Sequence, residues 1–193
     1  MIWLLLAPAY LLGTFPSAVM VARSKGIDIH TVGSGNPGAS NIARTMGSRW
    51  GVLVFLLDGL KGAIPAAVGL AMSERPLAWG MVAAAVLGHM FPITRRFKGG
   101  KGVATMAGAA LVLQLVVSAA LFVVWFVVRK LSGKASLASL TIMAGLPLGV
   151  ALRGGRGWEV GAIVGINLLV LVRHVDNIKR LVGGSELSAS QQH

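Results

Sequence analysis

The stretch Val103–Val128, VATMAGAALVLQLVVSAALFVVWFVV, contains no charged residue and only one side-chain amide, that of Gln114. A helix needs ~20 apolar residues to cross the hydrocarbon of a bilayer. The stretch is therefore either one long membrane helix or two short ones that turn near Gln114 to Ser118. The choice decides the topology, because it determines on which side of the membrane everything after it lies.

The rest of the chain is also dominated by apolar runs, at about 2–22, 51–72, 77–92, 136–152 and 158–172. Of its 193 residues, 55% are hydrophobic and 12% are charged, whereas soluble domains carry about a quarter charged residues. We therefore predict an all-α polytopic membrane protein with a single domain over residues 1–193, of which 183–193 form a mobile tail. The chain has no cysteine, which excludes disulfides, thiolate metal sites and a cysteine nucleophile.

The positive charges favour the two-helix alternative. With one helix at 103–128, Lys and Arg divide almost evenly between the two sides of the membrane, whereas with two helices only Arg75, Arg153 and Arg156 lie outside. Cytoplasmic loops of membrane proteins are enriched in Lys and Arg. We therefore predict seven transmembrane helices, some of them short, with the N-terminus outside and the C-terminus in the cytoplasm. The first run is a retained span and not a signal peptide, because Arg23 and Lys25 follow it instead of preceding it.

The net charge of +12 has three candidate explanations: the loop bias itself, an anionic ligand, or nucleic acid. Nucleic acid is disfavoured, because the basic residues are split among short loops between apolar runs. Under the seven-helix topology, three polar segments share the cytoplasmic face, at 23–50, 93–102 and 173–186. We expect the chemistry of the protein in these segments.

The first polar segment contains GSGNPGASNIART at Gly33–Thr45. Its glycines match the spacing of a dinucleotide fingerprint, but that fingerprint needs a β-strand before it, and here membrane helices surround it. We predict instead an interfacial helix that begins at Asn36 and ends near Arg49. The N-terminal amides of such a helix, beside a glycine loop that carries Ser34, bind anions; the alternative is an ordinary linker. The polar face of this helix would carry Asn41, Arg44 and Ser48.

The second segment reads RRFKGGKG at 95–102, directly before an apolar run. It is not a Walker loop, because Gly102 follows Lys101 where Ser or Thr is required. Glycines let backbone amides approach a phosphate closely, so the amides, the dipole of the following helix and Lys101 can converge on one anion. Positive-inside bias alone would explain the basic residues but not the glycines among them. We therefore predict a phosphate site that contains Lys98, Gly99, Gly100, Lys101 and Gly102.

Two further features are candidates for a site. The segment RHVDNIKR at 173–180 ends the last apolar run, and a helix there places His174 beside Asn177. The alternative for this segment is a basic helix end that anchors in lipid headgroups. Within the second apolar run, Asp58 and Lys61 form an i, i+3 pair, and intramembrane charges are usually paired or functional. A buried structural pair and a catalytic role are equally compatible with that spacing.

Four motifs, in this order, resemble one family over essentially the whole chain. GSGNPGASNIART, DGLKG, GHMFPITRRFKGGKGVAT and RHVDNIKRL are similar to the motifs of the bacterial acyl-phosphate:glycerol-3-phosphate acyltransferases, the PlsY family. The resemblance implies a seven-span inner-membrane enzyme with a cytoplasmic active site. Its expected reaction is transfer of a fatty acyl group from acyl phosphate, and not from acyl-CoA or acyl carrier protein, to glycerol 3-phosphate. The expected product is 1-acyl-glycerol 3-phosphate (lysophosphatidic acid) for phospholipid synthesis, and the expected partners are the two substrates, membrane lipid and the upstream enzyme that forms acyl phosphate.

The motifs and the resemblance together indicate a role for each matching residue. The catalytic residues would be Ser34, Arg44, His174 and Asn177. The residues that bind substrate or phosphate would be Gly33, Gly35, Asn36, Asn41, His89, Lys98, Gly99, Gly100, Lys101 and Gly102. The structural or supporting residues would be Asp58, Lys61 and Glu186. We expect no metal and no cofactor, because the sequence contains no cluster with metal-ligand spacing.

The expected chemistry is direct transfer, because an acyl phosphate is a mixed anhydride and already activated. The sequence agrees, since it has no cysteine, no G-x-S-x-G motif and no His followed by Asp five residues later. Histidine has an unperturbed pKa of about 6.5, which suits His174 as a general base, and an oxygen of a substrate phosphate is the other candidate. Two alternatives from other classes are a transporter of a phosphorylated metabolite and a membrane scaffold that binds anionic lipid.

Overall fold

A computed structural model describes residues 2–188, and within that range the chain forms ten α-helices and no β-strand. Short 3₁₀ turns precede α1, at Ile2–Leu5, and follow α5, at Ile93–Arg95. The helices are α1 (Leu6–Gly13), α2 (Ser17–Arg23), α3 (Ala39–Met46), α4 (Ser48–Ala71), α5 (Arg75–Met90), α6 (Val103–Leu113), α7 (Leu115–Ser132), α8 (Ala135–Leu152), α9 (Gly157–Val172) and α10 (Val175–Val182).

Five segments of the described chain are long and apolar enough to cross a membrane. The first is Ile2–Arg23, which contains α1 and α2. The second is α4, and the third is Arg75–Arg95, which contains α5. The fourth and fifth are α7 and α8. α9 and α10 pass the same test only as a pair, and the chain bends by 64° between them. α6 is apolar but has only 11 residues. The all-α membrane class is therefore confirmed, whereas the count of seven crossings depends on α6 and α9 and stays a prediction.

The apolar stretch on which the topology depends is divided at Gln114. α6 ends at Leu113, α7 begins at Leu115, and Gln114 between them has φ −142° and ψ 49°, outside the helical region. α7 packs mainly against α8, and the side chains that it buries are Val117 and Ser118. Leu121, Trp125 and Val128 are half-buried, and its other apolar side chains are exposed, as expected for a helix that contacts lipid. Two helices, and not one, therefore occupy this stretch.

α4 packs against both α5 and α6, and glycines allow the close approach of α4 and α6. A Cβ atom on Gly62 would overlap the carbonyl oxygen of Thr105, and one on Gly108 would overlap that of Gly59. Small residues are common at helix interfaces in membranes because they let the backbones come close. Since α6 directly follows the glycine loop at 99–102, this packing fixes the loop relative to α4.

The apolar side chains form two main clusters. The larger one lies between α5, α6, α8 and α9 and includes Trp79, Met106 and Ile163. The second joins α2, α3 and α4 to the loop before α3, through Ile29 and Ile42, which are at most 1% exposed. Burial of Ile29 anchors the polar loop that leads to the glycines at 33 and 35.

The helix predicted in the first polar segment is shorter than expected. α3 begins at Ala39, and not at Asn36, because the amide of Gly38 bonds to the carbonyl of Asn36 at 2.9 Å in a tight turn that delays the helix. It ends before Gly47, which has φ +96°, and therefore stops short of Arg49. The two corrections have different causes: the start is delayed by the turn at 36–38, in which Gly38 is extended, whereas the end falls at a glycine with a positive φ, a conformation that glycine adopts at little cost.

The polar face of α3 is turned toward the protein. Asn41 is 2% exposed and Arg44 is 7% exposed, while Ile42 packs into the second apolar cluster. An eight-residue helix with both faces buried has no wide solvent-facing surface. α3 is therefore positioned to supply polar groups to an internal site.

The C-terminal end of the described chain packs back onto the bundle. The side chain of Glu186 is 4% exposed and accepts hydrogen bonds from Asn177 and Arg180, and the carbonyl of Ser188 accepts one from Arg44. The tail predicted to be mobile from residue 183 therefore contacts α3 and α10 through Glu186 and Ser188, and its mobility stays a prediction. Residues 189–193 of that tail lie outside the described residues.

Candidate active site

A cavity of about 450 Å³ lies between the polar loops and the membrane helices. Its polar end is lined by the loop before α3, by α3 itself, by the loop before α6 and by the chain around α10. Its apolar end is lined by α4, α6, α7 and α8. The volume lies in the range of small-molecule sites, roughly 300–1,000 Å³. The cavity suits a ligand with an anionic head and a hydrocarbon tail.

Most of the predicted site residues meet at the polar end. Those that line the cavity are Ser34, Asn36, Asn41, Arg44, Asp58, His89, Lys101, Gly102, His174, Asn177 and Glu186. Those outside its lining are Gly33, Gly35, Lys61, Lys98, Gly99 and Gly100. Among the residues outside the lining, Lys98 is exposed on its loop. The other five contribute to the site by positioning the residues that line it.

Asn41 holds the loop that carries Ser34. Its Oδ1 accepts the backbone amide of Ser34 at 2.9 Å, and its Nδ2 donates to the carbonyl of Val32 at 3.0 Å. Gly33 lies against this side chain with φ +57°, and a Cβ atom there would overlap Asn41 Oδ1. The amide of Asn36 lies 3.5 Å from the hydroxyl oxygen of Ser34. Glycine at position 33 and the buried amide of Asn41 therefore fix Ser34 at the edge of the cavity.

Arg44 places a buried cation beside this loop. Its Nε donates to the carbonyl of Ser188 at 3.0 Å, and its Nη1 donates to Asn41 Oδ1 at 3.4 Å. Burial lowers the pKa of Arg44, with the nearby Glu186 carboxylate opposing this, but an arginine stays charged in any case. These bonds use two of the five N–H groups of a guanidinium, so further donors are available to an anion in the cavity.

The glycine loop before α6 differs from the predicted cradle. The carbonyls of Gly99 and Gly100 accept hydrogen bonds from Arg173 at 2.8 and 3.2 Å. The amide of Gly100 donates to the carbonyl of His89 at 3.1 Å, and a Cβ atom on Gly100 would overlap the ring of His89. Glycine is therefore required at these two positions because other parts of the protein pack against them, and both carbonyls and the amide of Gly100 bond to protein.

Lys101 and Gly102, the last two residues of that loop, do line the cavity. Gly102 has φ +85° and is the N-cap residue of α6. The first N–H groups of a helix have no partner within the helix, so an anion at this end meets Lys101 and those amides together. Burial lowers the pKa of Lys101 to about 8; Glu186 opposes the shift, whereas Arg180 and Arg173 add to it.

Asn177 links Lys101 to the C-terminal end of the chain. The ammonium of Lys101 donates to Oδ1 of Asn177, and Nδ2 of Asn177 donates to Oε1 of Glu186 at 2.6 Å. Arg180 donates to the other carboxylate oxygen at 2.8 Å. Burial acts to raise the pKa of Glu186, but the nearby Ser136 hydroxyl and the hydrogen bonds from Asn177 and Arg180 outweigh it, so the pKa is lowered. Ionised Glu186 thereby orients the Asn177 amide so that its oxygen faces Lys101.

His174 lies in the bend between α9 and α10 and is 2% exposed. Its Nδ1 is 2.8 Å from the carbonyl oxygen of Val170. Because a carbonyl can only accept, we assign the ring proton to Nδ1, which leaves Nε2 with a free lone pair in the neutral ring. The geometry gives this ring the acceptor atom that a general base requires.

A buried charge network lies beneath the polar end. Asp58 and Lys61 are one turn apart in α4, with 2.6 Å between carboxylate and ammonium, and each side chain is 3% exposed. The hydroxyl of Ser17 donates to the same carboxylate oxygen at 2.6 Å, and Nδ1 of His89 lies 3.5 Å from the Lys61 ammonium. The backbone carbonyl of His89 accepts the amide of Gly100, so His89 connects this network of α2 and α4 to the glycine loop. This placement favours a supporting role for the pair.

Sequence patterns do not single out the apolar half of the cavity. It is lined chiefly by Phe55 and Leu56 of α4, Ala107 and Ala110 of α6, Leu121, Phe122 and Trp125 of α7, and Ile142 and Leu146 of α8. Arg129 also lines the cavity, with its guanidinium carbon 5.3 Å from the centre of the Trp125 ring. The sequence does contain one signal for this half of the cavity: Trp125 and Arg129 are spaced i, i+4 and therefore share a face of α7.

Comparison with known proteins finds relatives along almost the whole chain. A family profile described as glycerol-3-phosphate acyltransferase matches residues 3–184, which include the first two polar segments and most of the third. A relative of that name from Shewanella sediminis is 41% identical over 186 residues, which cover 95% of this chain and 92% of the relative. Another from Aquifex aeolicus is 42% identical and covers 92% of this chain and 94% of the relative.

Two solved structures are also similar to this chain. One is PlsY, described as an integral membrane glycerol 3-phosphate acyltransferase, in its glycerol 3-phosphate form. It has a TM-score of 0.92 and 38% identity, and the match covers 97% of this chain and 94% of that one. The lysophosphatidic acid form has a TM-score of 0.90 and 37% identity with the same coverage.

Proposed function

The chain belongs to the glycerol-3-phosphate acyltransferase family, and from this premise we propose that it transfers a fatty acyl group from an acyl phosphate to the 1-hydroxyl of glycerol 3-phosphate. The products are 1-acyl-glycerol 3-phosphate (lysophosphatidic acid) and inorganic phosphate. The observation that carries the proposal is the cavity, because it joins buried cationic groups to an apolar groove. An acyl phosphate has both an anionic head and a hydrocarbon tail.

The substrates bring two phosphates, and at the polar end Arg44 and Lys101 supply cationic groups from different elements. We assign the acyl phosphate to Lys101 and the first turn of α6, because α6 leads from that loop into the apolar groove. Glycerol 3-phosphate is then bound by Arg44 and Ser34. Charged N–H donors and helix N-terminal amides are groups that bind phosphate well. The acyl chain lies between α6, α7 and α8, away from water.

In the reaction, the 1-hydroxyl oxygen of glycerol 3-phosphate attacks the carbonyl carbon of the acyl phosphate. The bond from that carbon to the phosphate oxygen breaks, and inorganic phosphate leaves with the electron pair. The hydroxyl proton goes to Nε2 of His174 or to an oxygen of the acyl phosphate itself. Alignment of the two substrates supplies much of the rate, since well-oriented pairs gain ~7–11 kcal/mol. The charge of Lys101, held in place by Asn177, stabilises the departing phosphate.

The proposed topology has seven crossings, with α6 and α9 as the two that are not spans by length alone. The N-terminus lies outside, and the C-terminus and the site lie on the cytoplasmic side of the bacterial inner membrane. The charge distribution supports this arrangement, because it leaves Arg75, Arg153 and Arg156 as the outer basic residues. A long-chain acyl phosphate partitions into lipid, which supports membrane lipid and the enzyme that forms acyl phosphate as partners.

The test is a direct assay with purified protein in detergent. Palmitoyl phosphate and glycerol 3-phosphate should give lysophosphatidate and inorganic phosphate in equal amounts, with palmitoyl-CoA inert as a donor. Ser34→Ala, checked for correct folding, serves as the site-directed control and should lose most of the turnover. No product from well-folded wild-type protein would contradict the proposal, and uptake of labelled glycerol 3-phosphate into vesicles would then favour a transporter.

Gly100→Ala should lower kcat/KM about a hundredfold. The added Cβ atom would overlap the ring of His89 and lie 3.1 Å from the carbonyl oxygen of Pro37, so the loop must shift and carry Lys101 with it. A displacement of ~1 Å at a site can cost about 10²-fold in rate. The matched control is Gly157→Ala, because no atom lies within 4 Å of an added Cβ there. Equal rates for the two variants would show that the loop position does not limit the reaction.

Activity should fall at alkaline pH because Lys101 loses its charge there. Burial lowers the pKa of Lys101 from 10.5 to about 8, so the ammonium is present below that pH and is lost as the pH rises through it. The value of kcat/KM for palmitoyl phosphate reports the free enzyme and should fall about tenfold per pH unit above pH 8. Lys101→Arg keeps a charged group in this range and should flatten that limb of the profile.

Unfolding would not explain such a loss. When a lysine has a lower pKa in the folded state, the unfolded state binds more protons, so between pH 8 and 10.5 the contribution of Lys101 to stability increases with pH. Thermal unfolding in the same buffers is therefore the control. If the Lys101→Arg profile fell as steeply as that of the wild type, the alkaline limb would belong to another group.

A further inference from the structure

The apolar half of the cavity ends at a floor between three helices. On the side away from Lys101, the last buried residues that line it are Ala110 on α6, Ser118 on α7 and Leu146 on α8. Beyond them α7 and α8 are in direct contact, since a Cβ atom on Gly149 would lie 2.6 Å from Cγ1 of Val117. Val117 belongs to the main apolar core. The groove is therefore closed by packed side chains at this end.

The position of the floor limits the length of a chain that is anchored at the polar end. Along α8 the lining runs from Ala135 to Leu146, a distance of ~16 Å at the helical rise per residue. The groove is open at its side, beside exposed lining residues such as Leu111 and Phe122, but at the floor a hydrocarbon that continues in the same direction must displace core side chains. Close-packed interiors resist such insertion, because extra methylene groups force side chains out of their preferred rotamers.

A buried carboxylate on α9 ties down the break between α6 and α7, directly past this floor. Glu159 is 3% exposed, and its Oε1 accepts Nε1 of Trp79 at 2.7 Å, Nε of Arg75 at 2.9 Å and Nε2 of Gln114 at 2.9 Å. Arg75 also donates to the carbonyl of Leu113, the last residue of α6, at 2.8 Å. Gln114 is therefore held by Glu159 of α9, and the end of α6 is held by Arg75 of α5, which itself bonds to Glu159.

We propose that the floor at Ala110, Ser118 and Leu146 sets the longest acyl chain that the site accepts, and that Glu159 is a positioning residue which holds this floor by fixing the break at Gln114. The inference rests on the proposed acyl transfer and names a determinant of its acyl donor. The cluster around Glu159 has no part in the proposed reaction. Burial of charged groups is costly, so a cluster placed at the break calls for a role there.

The test uses donors that differ only in chain length: lauroyl, palmitoyl and stearoyl phosphate. Leu146→Ala makes space at the floor and should raise kcat/KM for stearoyl relative to lauroyl phosphate about tenfold, the scale of a methylene difference in an apolar pocket.

Ser118→Leu adds a large side chain at the floor and should lower the same ratio of kcat/KM values by a similar factor. The Ser118 hydroxyl has no hydrogen-bond partner among the described residues, so this change breaks no bond. The matched control is Leu148→Ala, because that leucine is 60% exposed on α8 and lies outside the cavity lining.

For the positioning role, Glu159→Gln removes the charge and keeps the size of the side chain. The loosened floor should discriminate less, so the stearoyl-to-lauroyl ratio should move toward equality about threefold, the scale of a lost hydrogen bond. The KM for glycerol 3-phosphate should not change, because Arg44 and Ser34 lie at the other end of the cavity. Trp79→Phe removes one donor to the carboxylate and should shift the ratio in the same direction by less. If Glu159→Gln does not fold, the stearoyl-to-lauroyl ratio of Trp79→Phe tests the positioning role instead.

The outcomes separate this inference from the proposed reaction. A wild type that transfers no acyl chain of any length would contradict the reaction itself. An active wild type whose chain-length profile is unchanged in Leu146→Ala and Ser118→Leu would overturn the role of the floor alone. An equal loss of rate with all three donors in Glu159→Gln would overturn its positioning role, since a general loss of structure would have that result.

Discussion

Lys101→Ala should lower kcat/KM for acyl transfer by roughly 10²–10³-fold. The ammonium of Lys101 lies at the cavity beside the first turn of α6 and is held by Asn177. In the proposed reaction its charge stabilises the phosphate as it leaves, when the negative charge on that group is developing. Loss of one preorganised donor of this kind costs about 2.7–4 kcal/mol of transition-state stabilisation. Initial rates with palmitoyl phosphate and glycerol 3-phosphate measure the effect.

Lys98→Ala is the matched control for that change. Lys98 is in the same loop and carries the same charge, but it is exposed and lies outside the cavity lining. Its long-range attraction for anionic substrates is screened by salt, so we expect kcat/KM to stay within about twofold of the wild-type value. Similar large losses in both variants would show that the net charge of the loop matters, and not the position of Lys101.

Asp58→Ala should destabilise the folded protein by about 3–5 kcal/mol. The carboxylate is buried in α4 and accepts hydrogen bonds from Lys61 and Ser17, each at 2.6 Å. Its removal leaves the Lys61 ammonium buried without its counter-charge, and an uncompensated charge is costly inside a membrane protein. We expect the thermal unfolding midpoint in detergent to fall by about 10 °C, followed by tryptophan fluorescence.

The double variant Asp58→Asn with Lys61→Met tests the cause of that loss. It removes both charges and keeps the approximate sizes of the side chains, and replacement of both members of a buried ion pair is often close to neutral. Glu74→Ala, at an exposed carboxylate before α5, controls for loss of a single acidic charge and should change the midpoint little. A double variant as unstable as Asp58→Ala would mean that the carboxylate geometry toward Ser17 matters more than the balance of charge.

Much of the fold could be predicted because its causes are local. The lengths of the apolar runs predicted a helical membrane protein, and the distribution of Lys and Arg predicted two helices in the stretch around Gln114. The first signal depends on residues that are close in the chain and the second on the order of the charged loops along it, so neither depends on how the helices pack. For the same reason, the three polar segments could be identified as places where phosphate-binding residue types are concentrated.

The glycine loop marks the limit of such local reasoning. Three glycines around Lys101 indicate a phosphate cradle, yet Gly99 and Gly100 bond to Arg173 and His89. A glycine is required wherever another group approaches the backbone closely, and the sequence does not say whether that group is a ligand or protein. Arg173 comes from a segment more than 70 residues further along the chain, which local sequence patterns do not connect to the loop.

The sequence by itself therefore determined the helical membrane class, the break near Gln114 and the residue types available for binding phosphate. Only the tertiary structure decided which distant groups meet, such as Arg44 with the carbonyl of Ser188 and the break with Glu159. It alone also decided that α6, α7 and α8 enclose an apolar groove. The reason is that helix formation depends on neighbours within a turn or two, whereas these contacts depend on surfaces that meet only after the helices have packed.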